Sequence, residues 1–381
     1  MSDYQPDELL TEILTRLPVP SLLRFKSVCK PWYSLITSPG FAAKHLNQSV
    51  ANAERNGGKL LVRVYGNYGR LPEPRPFPRY ELRYLLLNDD DNFGDEYSEM
   101  KLPVGLRHGF YRIVGTCNGL ICIDDDYLSA RPRIIIWNPS TRKTAVLPRA
   151  SMPQCSRMFY FGFGVHPITH EYKVARIKFE VGAMPIGSPY KLPLKAEIYS
   201  QGTRSWRGIS SHVPPYWIVN YIGSQFQVFV DGAVHFLAYD LYQEGDFRNL
   251  ILVFNMASES FSEFKLPPTL RNQPLVSLSI VKFGQSLALV SSRREDSGGF
   301  CIWGMKDYGV AESWTKLFSS NLLGSPNKTL GFRKNGDVLL AAGNSPLVSY
   351  APESQTWATT RISGFSVAFS VDPFMETLFL V

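Results

Sequence analysis

A strand ending in an aromatic residue, a short polar turn and a second strand recur five times along this chain: IIIWNPSTRKTAVLP, AEIYSQGTRSWRGI, LVFNMASESFSEFKLP, CIWGMKDYGVAESWTKLF and LVSYAPESQTWATTRI. The aromatics are Trp137, Tyr199, Phe254, Trp303 and Tyr350, at steps of 62, 55, 49 and 47 residues. Upstream of these pairs lie the dipeptides Asn118-Gly119, Asp231-Gly232 and Asn335-Gly336, with Gly284-Gln285 in an equivalent place. Asn-Gly and Asp-Gly tolerate the positive φ angles of two-residue hairpins, so each marks the start of a further strand pair. A four-stranded unit repeating at about 40–50 residues is the pattern of a β-propeller. Five of the seven tryptophans (137, 206, 303, 314 and 357) fall in the recurring pair, which marks it as the expected packing core of each unit.

Residues 59–103 add three strands, LLVRVY, ELRYLLL and YSEMKLP, without a first. At the other end, FSVAFSV is a strand left over, followed by ETLFLV. The economical solution is that this C-terminal strand completes the first blade and closes the ring. That gives six blades, or seven if segment 159–225 holds extra strands. Before the β region, KHLNQSVANAERNGG loses apolar periodicity and ends in Gly57-Gly58. It reads as a helical exit followed by a linker. The expected organisation is a small all-α unit over 1–45, a linker over 46–58 and an all-β propeller over 59–381.

The N-terminal unit is three short helices. Pro6 can open the first, and Asp7 and Glu8 suit the positive end of its dipole. Leu9, Leu10, Ile13, Leu14 and Leu17 form one apolar stripe at helical spacing. Pro18 and Pro20 stop that helix and start the next, which carries Leu22, Leu23, Phe25, Val28 and Cys29. After Pro31, Trp32, Leu35 and Ile36 line a third turn. About 40 residues is the lower limit for folding without a partner, disulfide or metal. Three helices this small cannot bury all their Leu and Ile, so the surplus is either a docking surface or a cap packed on the rest of the chain.

The residue identities resemble the F-box: Pro6-Asp7-Glu8-Leu9-Leu10, Arg16-Leu17-Pro18-Val19, Ser21-Leu22-Leu23-Arg24-Phe25-Lys26 and Val28-Cys29-Lys30-Pro31-Trp32. Gln5 stands where that family usually has Leu or Ile. Residues 59–381 resemble the F-box-associated domain of plant F-box proteins. The matching pieces include Gly115-Thr116-Cys117-Asn118-Gly119, Trp137-Asn138-Pro139-Ser140-Thr141-Arg142, Gly162-Phe163-Gly164-Val165, Asp231-Gly232-Ala233-Val234-His235-Phe236 and Glu312-Ser313-Trp314-Thr315. Such domains are kelch-like, although the paired glycines of a strict kelch repeat are missing here. The resemblance implies a substrate receptor of a Skp–cullin–F-box ubiquitin ligase. Its F-box docks on a Skp-type adaptor, and through it a cullin, while the propeller holds a protein substrate. The adaptor-binding residues so implied are Pro6, Leu9, Leu10, Ile13, Leu14, Leu17, Pro18, Leu22, Leu23, Val28, Cys29, Trp32, Leu35 and Ile36.

Other chemistries find little support. The net charge of +7 comes from residues dispersed among carboxylates, as in Arg293-Arg294-Glu295-Asp296, not from the concentrated basic face that nucleic acid requires. No run of about 18 apolar residues exists to span a membrane, and the acidic start MSDYQPDELL is not a signal peptide. Five cysteines without a Cys-x-x-Cys pair read as reduced thiols, the expectation for the cytoplasm or nucleus. His166 and His170 stand four apart but flank Pro167 in a turn, where that spacing does not make a metal site. Asp89-Asp90-Asp91-Asn92-Phe93-Gly94 starts like a calcium loop, but Phe93 and Met100 occupy ligand positions, so a solvated loop is expected. His235 is expected to be a satisfied structural histidine. Neither a catalytic residue nor a cofactor or metal is assigned. The alternatives are a propeller scaffold outside any ligase and, further off, a propeller hydrolase or oxidase.

With strands lettered A to D within a blade, the tight A–B and C–D turns share one face. The long B–C loops (66–79, 124–133, 181–193, 239–249 and 291–299) and the D–A connection 211–224 share the other. Loops on a rigid scaffold concentrate binding residues, and Tyr and Trp dominate protein-binding hot spots. The expected substrate face therefore includes Tyr68, Arg75, Tyr127, Tyr190, Tyr216, Trp217 and Tyr242.

Overall fold

The computed structural model describes residues 7–67, 80–103, 111–125, 133–150, 159–179, 194–219, 227–241, 246–274, 278–292, 299–320, 328–341, 346–365 and 369–379. Four helices precede a ring of six antiparallel sheets. Blade 2 is typical, with strands Arg112–Cys117, Leu120–Asp124, Ile134–Asn138 and Lys143–Val146 hydrogen-bonded in chain order. All five predicted strand pairs are the C and D strands of blades 2 to 6. The dipeptides form their A–B turns as predicted. Asn118 and Gly119 (φ 50° and 77°) and Asp231 and Gly232 (φ 47° and 68°) take two successive left-handed conformations, the geometry that matches strand twist.

Segment 159–225 does hide an extra strand, but it makes no seventh blade. Trp217–Ile218 and Val228–Val230 both pair with Ala233–Leu241, so together they are the divided A strand of blade 4. The tryptophans also depart from expectation. Trp137 and Trp314 are buried, whereas Trp357 is 42% exposed and Trp206 half-buried. The last two sit on outer D strands, each paired with a C-strand tyrosine: Tyr199 with Trp206 and Tyr350 with Trp357. The packing cores lie instead between adjacent blades. Leu60, Val62 and Leu85 of blade 1, for instance, meet Leu330, Leu339 and Leu347 of blade 6. Asp89 belongs to the same seam rather than to a solvated loop. Its carboxylate accepts from Arg333 Nε (2.9 Å) and the Lys334 amide (2.7 Å), while the Arg333 guanidinium lies 4.2 Å over the Phe93 ring.

The ring closes as predicted, a few residues further on. Ser370–Phe374 pairs antiparallel with Lys59–Asn67, which continues to Tyr80–Asn88 and Tyr97–Glu99 to make blade 1. Pro373 is tolerated because this strand faces a partner on one edge only.

The helices are α1 (Asp7–Thr15), α2 (Val19–Phe25), α3 (Lys30–Thr37) and α4 (Pro39–Asn56). Helix α4 is the fourth, beyond the three expected, and runs through most of the expected linker, leaving Gly57 and Gly58 to turn the chain into blade 1. Ser38 caps it, its hydroxyl accepting from the Phe41 amide at 3.2 Å. Leu14, Val19, Leu22, Ile36, Phe41 and Ala42 form the helical core, together with Leu378 from the far end of the chain.

Leu378 arrives on segment 375–379, which follows the closing strand without regular structure and crosses between helices and ring. Glu376 accepts from the Val19 amide (3.2 Å) and from Lys59 Nζ (3.1 Å). The first of these serves an end of α2 that its own N-cap residue, Pro18, leaves without a side-chain bond. Asn138 Nδ2, buried in blade 2, donates to the carbonyls of Thr377 (3.1 Å) and Phe379 (2.6 Å). The Phe379 ring meets Tyr172 of blade 3 edge-on at 5.8 Å. Even the Gly119 turn participates, since a Cβ there would come within 2.3 Å of the Met375 carbonyl oxygen.

Candidate protein-docking surfaces

Helix α1 shows why the helical unit has apolar surface to spare. Leu10 and Leu14 turn inward, and Leu9 and Ile13, four residues apart on another face, are 45% and 46% exposed. Val28, before α3, is 61% exposed and Tyr33 within α3 is 56% exposed. Phe25 and Trp32 pack edge to face at 5.3 Å between α2 and α3. Among the described residues, four of the eleven exposed large hydrophobics lie in this short unit, and the rest are spread over the ring. Scattered exposure is ordinary, and a concentration of this kind in so short a unit makes it a candidate docking surface.

The structure divides the expected adaptor-binding set. Leu9, Ile13, Pro18, Val28 and Cys29 are exposed; Leu10, Leu17, Leu23, Trp32 and Leu35 are half-buried. Leu14, Leu22 and Ile36 are at most 1% exposed and belong to the helical core, because the stripe that faces α4 cannot also face a partner. Pro6 lies outside the described residues. Tyr33 was not anticipated; it lies within α3 and is exposed, although Ile36 three residues on is buried.

On the propeller, α4 enters at Gly57-Gly58, and the Asp89 amide beside the blade 1 C–D turn donates to the Gly58 carbonyl at 2.9 Å. The helices thus attach at the tight-turn face, and the strand ends that lead into the long connections lie on the face away from them. Of the expected substrate residues, Tyr68, Arg75, Tyr127, Tyr190 and Tyr242 lie outside the described residues. Tyr216 and Trp217 are half-buried against the core between blades 3 and 4 rather than free loop tips. The Tyr216 hydroxyl donates to Glu263 at 2.7 Å, and burial together with that carboxylate pushes its pKa up to about 12. Trp217 pairs with Tyr239 in the sheet and stacks on its ring at 6.4 Å and 17°. Together they make a fixed aromatic shelf beside the connections.

The remaining candidate chemistry resolves into structure. His166 Nδ1 accepts from the amides of Ile168 and Thr169, both at 3.2 Å, and His170 takes a left-handed φ of 55°. Asn138 and Asn255 close five-residue turns in the same way through Oδ1, with Arg142 and Glu259 in the left-handed position. His166 therefore does the work of an Asn or Asp at a turn. His235 is fully buried, with Nδ1 3.0 Å from the Val228 carbonyl and Nε2 2.8 Å from the Tyr308 hydroxyl, and burial lowers its pKa to about 4. No group of three His, Cys, Asp or Glu able to hold a metal occurs among the described residues.

A ring of six blades carrying a helical unit with an exposed apolar patch is the build of a two-part protein-interaction molecule. Residues 6–44 match the F-box domain model and residues 95–364 match that of the F-box associated beta propeller domain. The chain belongs to the family of F-box proteins with an F-box associated β-propeller. It is 25% identical to F-box protein CPR1 of Arabidopsis thaliana over 98% of this chain and 88% of that one. With an F-box/kelch-repeat protein of the same plant it shares 26% identity over 82% and 79% of the two chains. Among solved structures, an oligogalacturonate lyase in complex with manganese matches with a TM-score of 0.42 and 10% identity over 80% and 81%.

Proposed function

We propose that this chain is the substrate-recognition subunit of a Skp–cullin–F-box ubiquitin ligase, acting in the cytoplasm, the nucleus or both. The observation that carries the reading is the exposure of Leu9, Ile13, Val28 and Tyr33 on a unit whose core, Leu14, Val19, Leu22 and Ile36, is already buried. This patch docks on the Skp-type adaptor, which connects to the cullin. The propeller binds a target protein through its long-connection face, with Tyr216 and Trp217 as the ordered part of that site. Its role is non-catalytic. Holding target and charged enzyme on one scaffold raises their effective concentration, and no group on this chain needs to enter the reaction.

Co-purification with a Skp-type adaptor tests the reading. Leu9→Asp with Ile13→Asp should abolish it and leave the thermal transition of the ring unchanged, since both side chains point outward. Retained binding by this double variant would refute the assignment of the patch.

A further inference from the structure

Segment 375–379 is not needed to close the ring, because the pairing with blade 1 ends at Phe374. Yet Thr377 and Leu378 are among the buried residues of the molecule, and this short segment touches α2, blade 1, blade 2 and blade 3. We propose that it is a positioning strap, anchored on the ring by Asn138, that fixes the angle between the F-box helices and the propeller. The purpose of the strap rests on the ligase reading; its geometry does not. A ligase scaffold transfers ubiquitin to whatever lysines lie within reach of the charged enzyme, so a fixed angle determines which lysines those are.

Asn138 can carry this role because its two amide atoms do different things. Oδ1 accepts from Ser140 N (2.8 Å) and Thr141 N (3.1 Å), which builds the blade 2 turn. Nδ2 faces only the strap, donating to two of its carbonyls. Asn255 builds the matching turn of blade 4, accepting from Ala257 N and Ser258 N at 2.8 and 2.9 Å through Oδ1. Among the described residues, no hydrogen bond or ring contact joins the strap to blade 4. Blade 2 thus holds an anchor and blade 4 holds its natural control. A second bond, from Thr377 N to Ser140 Oγ at 3.3 Å, reinforces the first.

Asn138→Asp separates the two functions. The carboxylate keeps an acceptor for the turn and sets its other oxygen against the Thr377 and Phe379 carbonyls. The experiment uses the full chain with Cys29→Ser and Cys155→Ser, the remaining cysteines being buried, and spin labels at Ser34→Cys on α3 and Glu353→Cys on blade 6. The unmodified strap should give one narrow distance distribution. Asn138→Asp should widen it at least twofold, and Asn255→Asp should leave it unchanged. In a ligase reconstituted with adaptor and cullin, Asn138→Asp should spread self-ubiquitination over additional propeller lysines while adaptor affinity stays within threefold. An unchanged width in Asn138→Asp, or equal widening in Asn255→Asp, overturns the proposal. Should Asn138→Asp lose the ring's melting transition, Ser140→Ala takes its place under the same criterion, because its backbone amide still serves the turn. Failure of the parent chain to bind adaptor would refute the ligase reading, with the strap still judged by the distances.

Discussion

Blade 1 and the helical unit both take a piece from the far end of the chain, and they use it differently. Blade 1 takes five residues, Ser370–Phe374, as a whole strand: the backbone pairs with Lys59–Arg63, and the Val371 and Phe374 side chains are buried in the adjoining cores. The helical unit takes side chains: Leu378 enters a core of Leu14, Val19, Leu22, Ile36, Phe41 and Ala42, Phe379 packs against it, and Glu376 accepts from the Val19 amide. The borrowed strand therefore cannot be deleted, and it tolerates substitution best at its exposed Pro373. A borrowed side chain is sensitive to both.

The sharpest break is removal of everything from residue 370 onward. It leaves Lys59–Asn67 with a bare edge and an uncovered core against blade 6, so the chain should aggregate or lose cooperative thermal unfolding. A soluble product with an unchanged melting temperature would mean that the ring closes without this strand. Next in size, Leu378→Ala should cost the helical unit about 2–5 kcal/mol, the usual loss for emptying a buried leucine site. Amide exchange should show this as faster exchange in α1 to α4 with the ring's protection kept, and equal loss in both would erase the distinction drawn here. Expressed alone, residues 1–45 would lack Leu378 and the buried Leu46, so the isolated segment should be less helical than the same residues in the full chain.

Acid probes the two regions through their buried histidines. His235 has a folded-state pKa near 4, below the unfolded value of about 6.5, so its contribution is fully present above pH 6.5 and is lost as pH falls toward 4. Urea titrations at pH 7.5 and 4.5 should differ by up to about 3 kcal/mol from this residue in the ring, a difference His235→Gln should reduce. His45 in the helical core is shifted the same way by burial, partly offset by the Leu17 carbonyl and Glu376, so both regions weaken in acid. The smallest effect should come from Pro373→Ala in the borrowed strand. Pro373 is exposed and pairs with Leu60, and melting should place the change within about 0.5 kcal/mol.

The ring was legible because its rules are local. Asn118-Gly119 and Asp231-Gly232 announce two left-handed residues by type, and the aromatic at the end of each C strand repeats in register. Arg142, Arg204, Glu259 and Gln355 also take left-handed conformations, and nothing in their type signals it. The apolar surplus of α1 to α3 was legible too, but not how it divides. Leu9 and Leu14 look alike on a stripe, and only the placement of α4 decides which is covered. The strap was the least legible part. ETLFLV, which follows the leftover strand, shows no sign of a partner in its sequence, and its partners at Val19 and Asn138 lie 357 and about 240 residues upstream. The Tyr216–Trp217 shelf was found for its aromatics, although its sheet pairing and its bond to Glu263 were not.

Distance along the chain also sets a clock. Lys59 is synthesised 317 residues before Glu376, which at about 5–20 residues per second is an interval on the order of tens of seconds. Throughout that time the blade 1 edge has no neighbour and the helical core has a hole where Leu378 belongs. The nascent chain must be kept from pairing its open edge with another copy, which makes it a natural client for chaperones. Because both sites wait for the same short stretch, a chain cut short before residue 370 is left with neither a sealed ring nor a finished F-box core. Damaged products would announce themselves at both ends at once, through an open blade edge and an unfinished helical core.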